Sequence, residues 1–425
     1  MKHHVFIPRL CHSFPQTPRE GTRPTENNRN CRPGALTGRE LAENDAVVVA
    51  NFTRREWQDW HWQMRHSVRS LAALERSLPL ERSLPLERPL PLLSIPPAAR
   101  ARWHTLLRRY PCRITPYYMS LIRWNDPADP LRRQCVPDLR ELETLAAATA
   151  DPLGEHRHLV VPGLVRRYRD RALALITSEC ALVCRHCTRK NLWRSDRPAP
   201  TRAFLRRIVK AVAHLPDIRE VIVSGGDPLL LNEDLLDWFL GALRAIPHVE
   251  VLRVGTRVPV VLPMRVTRAL CACLKRHRPL WINTQFNHPR ELTPEAEQAC
   301  ERLLQAGLPV SNQTVLLRGV NDDFETLKAL CNGLQRLMVR PYYLFQCDPV
   351  QGVGHFSVSL PVGVRLAEQL HTGLGGLSVP QFVADLPGGN GKVPLQPSHI
   401  ISMNRHKTVL RGFRGDIYTY NHENK

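Results

Sequence analysis

From Arg171 onward the sequence alternates short apolar runs with longer amphipathic stretches, and this alternation restricts the possible folds more than any other feature. Such a pattern predicts repeated βα units, whose strands pair in parallel within one sheet. The six expected strands are residues 172–177, 220–224, 249–254, 280–285, 310–316 and 341–346. Helix signals lie between them, as at 293–306, where Thr293 is a candidate N-cap and Pro294 suits the first turn. We therefore expect an α/β fold, a partial TIM-like barrel of six βα units.

The residues before the expected barrel divide into a tail and a helical region. Residues 1–50 are rich in Pro, Arg, Asn and Thr without hydrophobic periodicity, which predicts a disordered or loosely ordered tail. Trp57 and the tryptophans after it predict an amphipathic helix that begins near Thr53, and helical sequence returns at 97–109 and 139–150. We expect domain boundaries that give residues 1–50, 51–150, 151–375 and 376–425, the last being a C-terminal segment.

A hexapeptide occurs three times in succession at 75–92, as ERSLPL, ERSLPL and ERPLPL. Its prolines exclude a continuous helix, and three copies of six residues are too few for a solenoid. The repeat therefore predicts a surface connection within the helical region.

The chain has 425 residues and a net charge of +20, which raises the question of a nucleic-acid partner. Arginines supply most of this charge and are spread through every region, and no recognised nucleic-acid motif accompanies them. We therefore do not expect nucleic acid as a partner. No apolar run approaches eighteen residues, so no membrane span is expected either. The sequence predicts a cytoplasmic protein, because thiols stay reduced in that compartment.

Three of the twelve cysteines lie within eight residues, as Cys180, Cys184 and Cys187, in the loop after the first expected strand. Three thiolates at this spacing can bind three irons of a four-iron cluster and leave the fourth iron open for chemistry. Structural zinc is the main alternative, although tetrahedral zinc usually takes two separated pairs, and His186 is awkwardly placed as a fourth ligand. Chance clustering is a third possibility, whereas a disulfide framework is typical of much shorter, secreted chains.

A second motif, Ser224-Gly225-Gly226-Asp227, follows the second expected strand. The carboxyl ends of parallel strands in a βα barrel open onto one mouth, so this turn and the cysteine loop are expected to face each other. The glycines permit close approach of the backbone to a ligand, and Asp227 suits an amine or hydroxyl. An ordinary turn is the alternative.

The order of these two motifs resembles that of the radical S-adenosylmethionine enzymes. Within them, the chain is similar to the lysine 2,3-aminomutase family over residues 53–420. The segments that carry the likeness are 57–63 (WQDWHWQ), 115–118 (TPYY), 161–164 (VPGL), 188–189 (TR), 255–263 (GTRVPVVLP), 286–289 (FNHP), 312–320 (NQTVLLRGV), 341–343 (PYY), 347–348 (CD), 352–356 (GVGHF) and 387–392 (PGGNGK).

The resemblance implies an isomerase that converts L-lysine to β-lysine by moving the amino group between adjacent carbons. Such a shift requires a radical generator and an electron-delocalising carrier, which cofactors supply. The implied cofactors are a 4Fe-4S cluster on Cys180, Cys184 and Cys187, S-adenosylmethionine and pyridoxal 5′-phosphate.

Further site residues follow from the same resemblance. Lys392, in a glycine-rich turn, corresponds to the lysine that holds pyridoxal phosphate as a Schiff base. The implied contacts of its phosphate are Arg167, Tyr168 and Arg171. The implied contacts of S-adenosylmethionine are Ser224, Gly225, Gly226, Asp227, Gln285 and Gln313. Gln285 departs from the family, which commonly has histidine there.

Arg189 corresponds to the residue that pairs with the substrate carboxylate, and Asp348 and Asp385 to those that hold the distal ammonium of lysine. Two carboxylates suit one buried cation and repel an acidic side chain, so glutamate is disfavoured as a substrate. Free arginine fits the same two carboxylates and remains an alternative. Another is a related enzyme that modifies a lysine of elongation factor P. From a different class, a non-catalytic basic RNA-binding protein remains possible.

The resemblance also implies partners. We expect a free amino acid as substrate, an electron donor such as a flavodoxin or ferredoxin, and a homo-oligomer.

Overall fold

The computed structural model describes residues 52–76, 95–143, 146–190, 200–396, 398–412 and 415–422. The expected tail at 1–50 and the hexapeptide repeat, apart from its first two residues, lie outside the described residues. The expected domain boundaries stay a prediction.

A ten-stranded sheet forms the centre of the fold, and its strand order is the order of the strands in the sequence. Strands β3 to β9 pair in parallel, whereas the pairs at both edges are antiparallel. The strands are β1 (Leu159–Val161), β2 (Leu164–Val165), β3 (Arg171–Thr177), β4 (Glu220–Gly225), β5 (Val251–Gly255), β6 (Leu280–Thr284), β7 (Val310–Leu316), β8 (Arg340–Gln346), β9 (Gln381–Asp385) and β10 (Lys392–Pro394).

The six predicted strands are confirmed as β3 to β8, with ends within two residues of the prediction. The α/β class is therefore confirmed. A seventh parallel strand, β9, was not predicted, and the C-terminal segment adds both β9 and β10 to the sheet. Segments next to the two edges of the sheet contact each other, because Gly388, between β9 and β10, donates its N–H to the Pro152 carbonyl, before β1, at 2.9 Å. The sheet thus curls into a partial barrel.

Amphipathic helices cover the outside of the sheet and connect its strands. The predicted helix at 293–306 is confirmed at Pro294–Gln305, and the Thr293 hydroxyl accepts from the Ala296 N–H as an N-cap. The helices of this layer are α7 (Arg202–Ala213), α8 (Glu233–Arg244), α9 (Val258–Val261), α10 (Arg268–Lys275), α11 (Pro294–Gln305), α12 (Phe324–Arg336) and α13 (Leu360–Gly373). Each buries its apolar face in the core, as α8 does with Leu236, Phe239 and Leu240.

The N-terminal region is helical, as predicted, but its helices are short. They are α1 (Arg54–Gln58), α2 (Trp60–Arg65), α3 (Leu71–Arg76), α4 (Arg100–Arg109), α5 (Pro116–Met119) and α6 (Pro130–Cys135). The helix expected near Thr53 divides at Asp59, whose carboxylate accepts from the His61 N–H and begins α2. The helix expected at 97–109 is confirmed, as a 3-10 turn followed by α4.

The helix predicted at 139–150 is wrong. A single 3-10 turn, Leu139–Leu142, stands at its start, and Thr149 instead makes a parallel bridge with Val350. The reason is a tertiary contact, since the side chain of Glu141 is fully buried between two cations of the cysteine loop. Such contacts override local helix propensity.

Beyond the barrel, β11 (Ile400–Met403), β12 (Lys407–Arg411) and β13 (Ile417–Asn421) form a separate antiparallel sheet. Several of its large apolar side chains are exposed, among them Ile401, Met403 and Tyr420. Among the helices of the described ranges, none combines the length and the apolar character that crossing a bilayer requires.

The unpredicted strand β9 provides a test of the fold. Phe382 of β9 is fully buried with Leu344 of β8 and Leu370 of α13. We expect Phe382→Ala to lower the free energy of unfolding by about 3–5 kcal/mol, because it leaves a cavity where the sheet meets α13. Urea unfolding followed by tryptophan fluorescence measures the loss. Leu377→Ala, at a largely exposed position, is the control and should change the free energy by less than about 0.5 kcal/mol. Equal effects of the two changes would contradict the packing of β9.

Candidate active site

The cysteine loop leaves the end of β3 and is held by the N-terminal region. Val183 donates its N–H to the Arg113 carbonyl at 2.9 Å, and Arg185 donates its N–H to the Gln134 carbonyl at 2.8 Å. The Arg113 guanidinium donates in turn to the Cys180 carbonyl at 2.9 Å. The N-terminal helices therefore set the position of the three thiols.

A buried ion network fastens the same loop. Arg185 donates to both oxygens of Glu141, at 2.9 and 2.6 Å, and Lys190 donates to Glu141 Oε2 at 3.0 Å. Lys190 also donates to the Gly352 carbonyl at 2.9 Å. Burial lowers the pKa of Lys190 to about 8, although Glu141 opposes this. Burial alone would raise the pKa of Glu141, but Arg185 and Lys190 lower it, so the carboxylate stays ionised.

Cys180, Cys184 and Cys187 all carry free thiols. Burial and, to a lesser extent, the neighbouring Cys184 raise the pKa of Cys187 to about 11. Burial also raises the pKa of Cys180, and Cys187, Asp227 and Cys184 add to this effect. Thiols that oppose one another's ionisation in this way become thiolates when a positively charged metal centre lies among them. The loop therefore fits an iron-sulfur cluster.

His186, the residue considered as a fourth zinc ligand, faces amides instead. The Gln285 amide donates to His186 Nε2 at 3.0 Å, and Asn287 Nδ2 lies 3.3 Å from the same nitrogen. Burial lowers the pKa of His186, and Arg257 and Lys190 lower it further, so the ring is neutral. This geometry favours a cluster with three cysteine ligands over four-coordinate zinc.

Arg257, just after β5, contacts the cysteine loop and is a residue that sequence reasoning missed. Its guanidinium donates to Cys184 Sγ at 2.9 Å, to Gln134 Oε1 at 2.6 Å and to Glu291 Oε1 at 2.8 Å. It also donates through Nε to the Gln285 carbonyl at 3.1 Å. Arg257 thus brings a buried positive charge to a cluster thiol. Its position within the 255–263 segment was the available signal.

The Gly225–Gly226 turn packs against the cysteine loop. Gly225 has φ +123°, and a Cβ on Gly226 would lie 2.2 Å from the Glu179 carbonyl oxygen. The Gly226 N–H donates to the Thr177 carbonyl at 2.6 Å, and the Asp227 N–H donates to the Glu179 carbonyl at 2.6 Å. The glycines are therefore needed for the close approach of the turn at the end of β4 to the loop after β3.

Asp227 is buried and engaged with its own chain. Its carboxylate accepts from the Thr256 hydroxyl at 2.7 Å and from the N–H groups of Arg257 and Val258 at 2.8 and 3.1 Å. The structure thus brings Asp227 to the expected edge and gives it a structural role. Ser224, Gln285 and Gln313 are half-buried and lie on or just after β4, β6 and β7. Their contacts with S-adenosylmethionine stay a prediction.

Lys392 and Asp385 face each other across the β9–β10 pair, in which they are direct partners. Lys392 Nζ lies 2.6 Å from Asp385 Oδ2 and 4.0 Å from the centre of the Phe345 ring. Burial lowers the pKa of Lys392, while Asp385 opposes the shift. A lowered pKa favours the neutral amine that attacks an aldehyde.

Arg167, in the turn between β2 and β3, and Arg171, the first residue of β3, both place their guanidinium groups near the Tyr168 ring. Arg167 Nη2 lies 3.2 Å from Asp385 Oδ1, and Arg171 stacks on the Tyr168 ring at 3.9 Å from its centre. Arg167 Nε is buried and has no hydrogen-bond partner among the described residues. A buried unpaired guanidinium N–H beside a second arginine fits the phosphate of pyridoxal phosphate.

Asp348 follows β8 and completes an acidic pair with Asp385. Burial raises the pKa of Asp348 to about 7, and Asp385 raises it too, whereas Lys392 and Arg167 act in the opposite direction. The region can therefore accept one more positive charge. Asp385 and Lys392 are in direct contact and both affect the pKa of Asp348, while the substrate-binding role of the two aspartates stays a prediction.

Arg189 has a partner that sequence reasoning missed. Its guanidinium forms a two-point contact with Glu155, at 2.8 Å from Nη2 and 3.0 Å from Nε to the same oxygen. Glu155 begins a 3-10 turn after Gly154, and its N–H donates to Asp151 Oδ1. The Arg189 guanidinium thus already donates two hydrogen bonds to a carboxylate of its own chain.

Comparison with known proteins identifies relatives over most of the chain. Residues 175–331 match the radical SAM superfamily model, and residues 367–425 match a lysine-2,3-aminomutase model. The L-lysine 2,3-aminomutase of Fusobacterium nucleatum is 43% identical over 370 residues, which cover 87% of this chain and 84% of that protein. The enzyme of the same name from Clostridium subterminale is 43% identical, covering 86% and 84%. A glutamate 2,3-aminomutase of Clostridioides difficile is 34% identical, covering 87% and 84%.

The buried ion network generates a test of the cysteine loop. We expect Glu141→Gln to lower the free energy of unfolding by about 3–5 kcal/mol, because Arg185 and Lys190 would keep buried charges without a counter-ion. Iron retained after anaerobic reconstitution and gel filtration should fall with it. Glu143→Gln, at an exposed position two residues away, is the matched control and should leave both measurements unchanged. Unchanged stability of Glu141→Gln would contradict the role of the network.

Proposed function

The chain belongs to the lysine 2,3-aminomutase family of radical S-adenosylmethionine enzymes, and from this membership we propose that it converts L-lysine to β-lysine. The family uses a 4Fe-4S cluster, S-adenosylmethionine and pyridoxal phosphate. When bound, these groups supply the radical that removes a hydrogen atom and the conjugated carrier for the migrating nitrogen. The chain's own residues bind and orient the substrate and keep water away from it.

The acidic pair is the observation that carries the choice of lysine. Burial raises the pKa of Asp348 to about 7 and Asp385 adds to this, while the cations Lys392 and Arg167 offset the rise only in part. A substrate ammonium between the two carboxylates would supply the missing positive charge. Lys392 would hold pyridoxal phosphate, with Arg167, Tyr168 and Arg171 around the phosphate, and the Asp385 carboxylate would then serve the substrate.

Arg189 is proposed to receive the substrate carboxylate. Its guanidinium already pairs with the Glu155 carboxylate, which the substrate carboxylate would have to join or displace. Together with the acidic pair, it would fix both ends of a lysine. At the cluster side, Ser224, Gly225, Gly226, Asp227, Gln285 and Gln313 are proposed to position S-adenosylmethionine beside the cluster that the three cysteines would hold.

Free arginine is the second candidate substrate, because a guanidinium also satisfies two carboxylates. Glutamate is less suited, since its side chain would be repelled by Asp348 and Asp385, and the relative named for glutamate is less similar than the two named for lysine. A protein-linked lysine of elongation factor P remains a further alternative. The retained cysteines, Lys392 and acidic pair speak against a purely RNA-binding protein.

We also propose a cytoplasmic location and two kinds of partner. A net charge of +20 favours an acidic one-electron donor, such as a flavodoxin or ferredoxin. The exposed apolar side chains of the β11–β13 sheet, including Ile401 and Met403, suit contact with a second copy of the chain.

The proposed activity is tested with the anaerobically reconstituted protein, pyridoxal phosphate, S-adenosylmethionine and reductant. We expect β-lysine from lysine, with slower or no turnover of arginine and glutamate. Lys392→Ala should abolish product and the absorbance of bound pyridoxal phosphate while keeping the cluster spectrum. Lys407→Ala, at an exposed lysine, is the control. If none of the three substrates gave a β-amino acid, the proposed activity would be wrong. If Lys392→Ala kept the pyridoxal absorbance, the role proposed for Lys392 would be wrong.

The pKa of Asp348 predicts a pH dependence of substrate binding. Because this pKa is raised to about 7, Asp348 is protonated below pH 7 in the free enzyme and loses its attraction for an ammonium. We expect kcat/KM for lysine to fall about tenfold per pH unit below 7, in the limit of one controlling group. Asp348→Asn should lower kcat/KM at pH 8 and flatten this acidic limb. An unchanged limb in Asp348→Asn would assign the titration to another group.

A further inference from the structure

Three side chains of types that bind metals lie close together in the outer helical layer. They belong to elements other than those that carry the cysteine loop and the acidic pair. Asp237 lies in α8, Cys273 lies in α10, and His277 follows the end of α10. His277 Nε2 is 2.6 Å from Asp237 Oδ1, and Cys273 Sγ is 3.8 Å from the same oxygen. All three candidate ligand atoms lie within 4.8 Å of one another. We propose that Asp237, Cys273 and His277 form a zinc-binding site that links α8 to α10.

The chemistry of the three side chains suits zinc. Thiolate, imidazole and carboxylate are the groups that zinc takes from proteins, and three protein ligands with water in the fourth place are common. Tetrahedral zinc with bonds of about 2.0–2.3 Å separates its ligand atoms by roughly 3.3–3.6 Å. The sulfur–oxygen distance of 3.8 Å is already close to this separation. The nitrogen–oxygen hydrogen bond would have to open by less than about 1 Å.

The surroundings permit a fourth ligand from solvent. Cys273 and His277 are buried, whereas the Asp237 side chain is 36% exposed. The Arg276 guanidinium donates to Asp237 Oδ1, with Nη2 at 2.8 Å and Nε at 3.1 Å. A hydrogen bond of this kind commonly orients a carboxylate that binds a metal. The Arg276 charge opposes a cation, but its side chain is 57% exposed, so solvent screens it.

The spacing of the ligands gives the site a rigid frame. Cys273 lies in α10, and His277 is held just beyond the end of that helix by its N–H, which donates to the Leu274 carbonyl at 3.1 Å. Asp237 comes from α8, which packs against α10, and Gly241, one turn further along α8, lies against the His277 ring. Zinc would therefore cross-link two neighbouring helices of the barrel exterior.

The alternative is a hydrogen-bond cluster without a metal. The role of Cys273 distinguishes this alternative from a zinc site. In a hydrogen-bond cluster the thiol is a weak donor to Asp237 and to the Glu233 carbonyl, at 3.8 Å in both cases, and a serine would replace it with little loss. In a zinc site the thiol loses its proton on binding and the resulting thiolate is a ligand, and serine cannot take its place at neutral pH.

The test uses the reconstituted holoenzyme, in which the iron-sulfur cluster occupies Cys180, Cys184 and Cys187. Zinc chloride is added, excess metal is removed by gel filtration, and zinc per chain is measured by mass spectrometry. We expect about one zinc per chain, and a zinc-edge X-ray absorption spectrum with one sulfur and the remaining ligands nitrogen or oxygen. Neither readout depends on aminomutase activity, so failure of the proposed function would leave the test intact.

Variants identify the ligands. Cys273→Ser and His277→Asn should each weaken zinc binding at least tenfold in competition with a chromogenic chelator. Cys271→Ser is the matched control, since this buried cysteine lies two residues away in α10 and outside the cluster. Cluster iron content and circular dichroism verify that each variant is folded. Zinc below about 0.1 per chain, a spectrum without sulfur, or equal affinity in Cys273→Ser and Cys271→Ser would each overturn the proposal.

Discussion

A single buried carboxylate, Glu141, holds together the parts on which the site depends. Glu141 lies between the side chains of Arg185 and Lys190, which come before and after Cys187 in the chain. All three side chains are almost fully buried. Two cations and one anion in an apolar interior are stable only when their distances are short and their remaining protons are used. The Pro111 and Gly352 carbonyls accept hydrogen bonds from Arg185 and Lys190 respectively. The loop can therefore hardly shift without leaving a buried charge unpaired.

The opposite side of the site follows the reverse principle, with charges that are left partly unbalanced. Asp385 is contacted by both Lys392 and Arg167, while Asp348 has no ion pair with any described residue and has a raised pKa. An unbalanced carboxylate costs stability in the free protein, and the binding of a cation recovers it. Complete charge pairing at the cysteine loop thus suits the holding of a cofactor. Incomplete charge pairing at Asp348 and Asp385 suits the selection of a positively charged substrate.

Much of this arrangement could be predicted from the sequence because it follows local patterns. The strands β3 to β8 have the apolar runs of buried parallel strands, and the cysteine loop and the Gly225–Gly226 turn have fixed spacing. The prediction failed where long-range contacts decide. The helix predicted at 139–150 does not form, because Glu141 instead pairs with Arg185. Strand β9 is recognisable mainly through its pairing with β8. The contacts Arg257–Cys184 and Arg189–Glu155 join residues far apart in the chain, which no local pattern reveals.

The unpredicted strand also explains why Lys392 and Asp385 act together. A lysine seven residues after an aspartate has no fixed relation to it in a loop, but the β9–β10 hairpin makes the two residues direct partners across an antiparallel pair. Directly opposed side chains lie close enough for an ion pair, and here Nζ and Oδ2 are 2.6 Å apart. The proposed cofactor lysine and one of the proposed substrate carboxylates therefore share one short element. Any shift of that hairpin would move both together, so the distance between the cofactor and the substrate ammonium is set by strand pairing and does not depend on loop conformation.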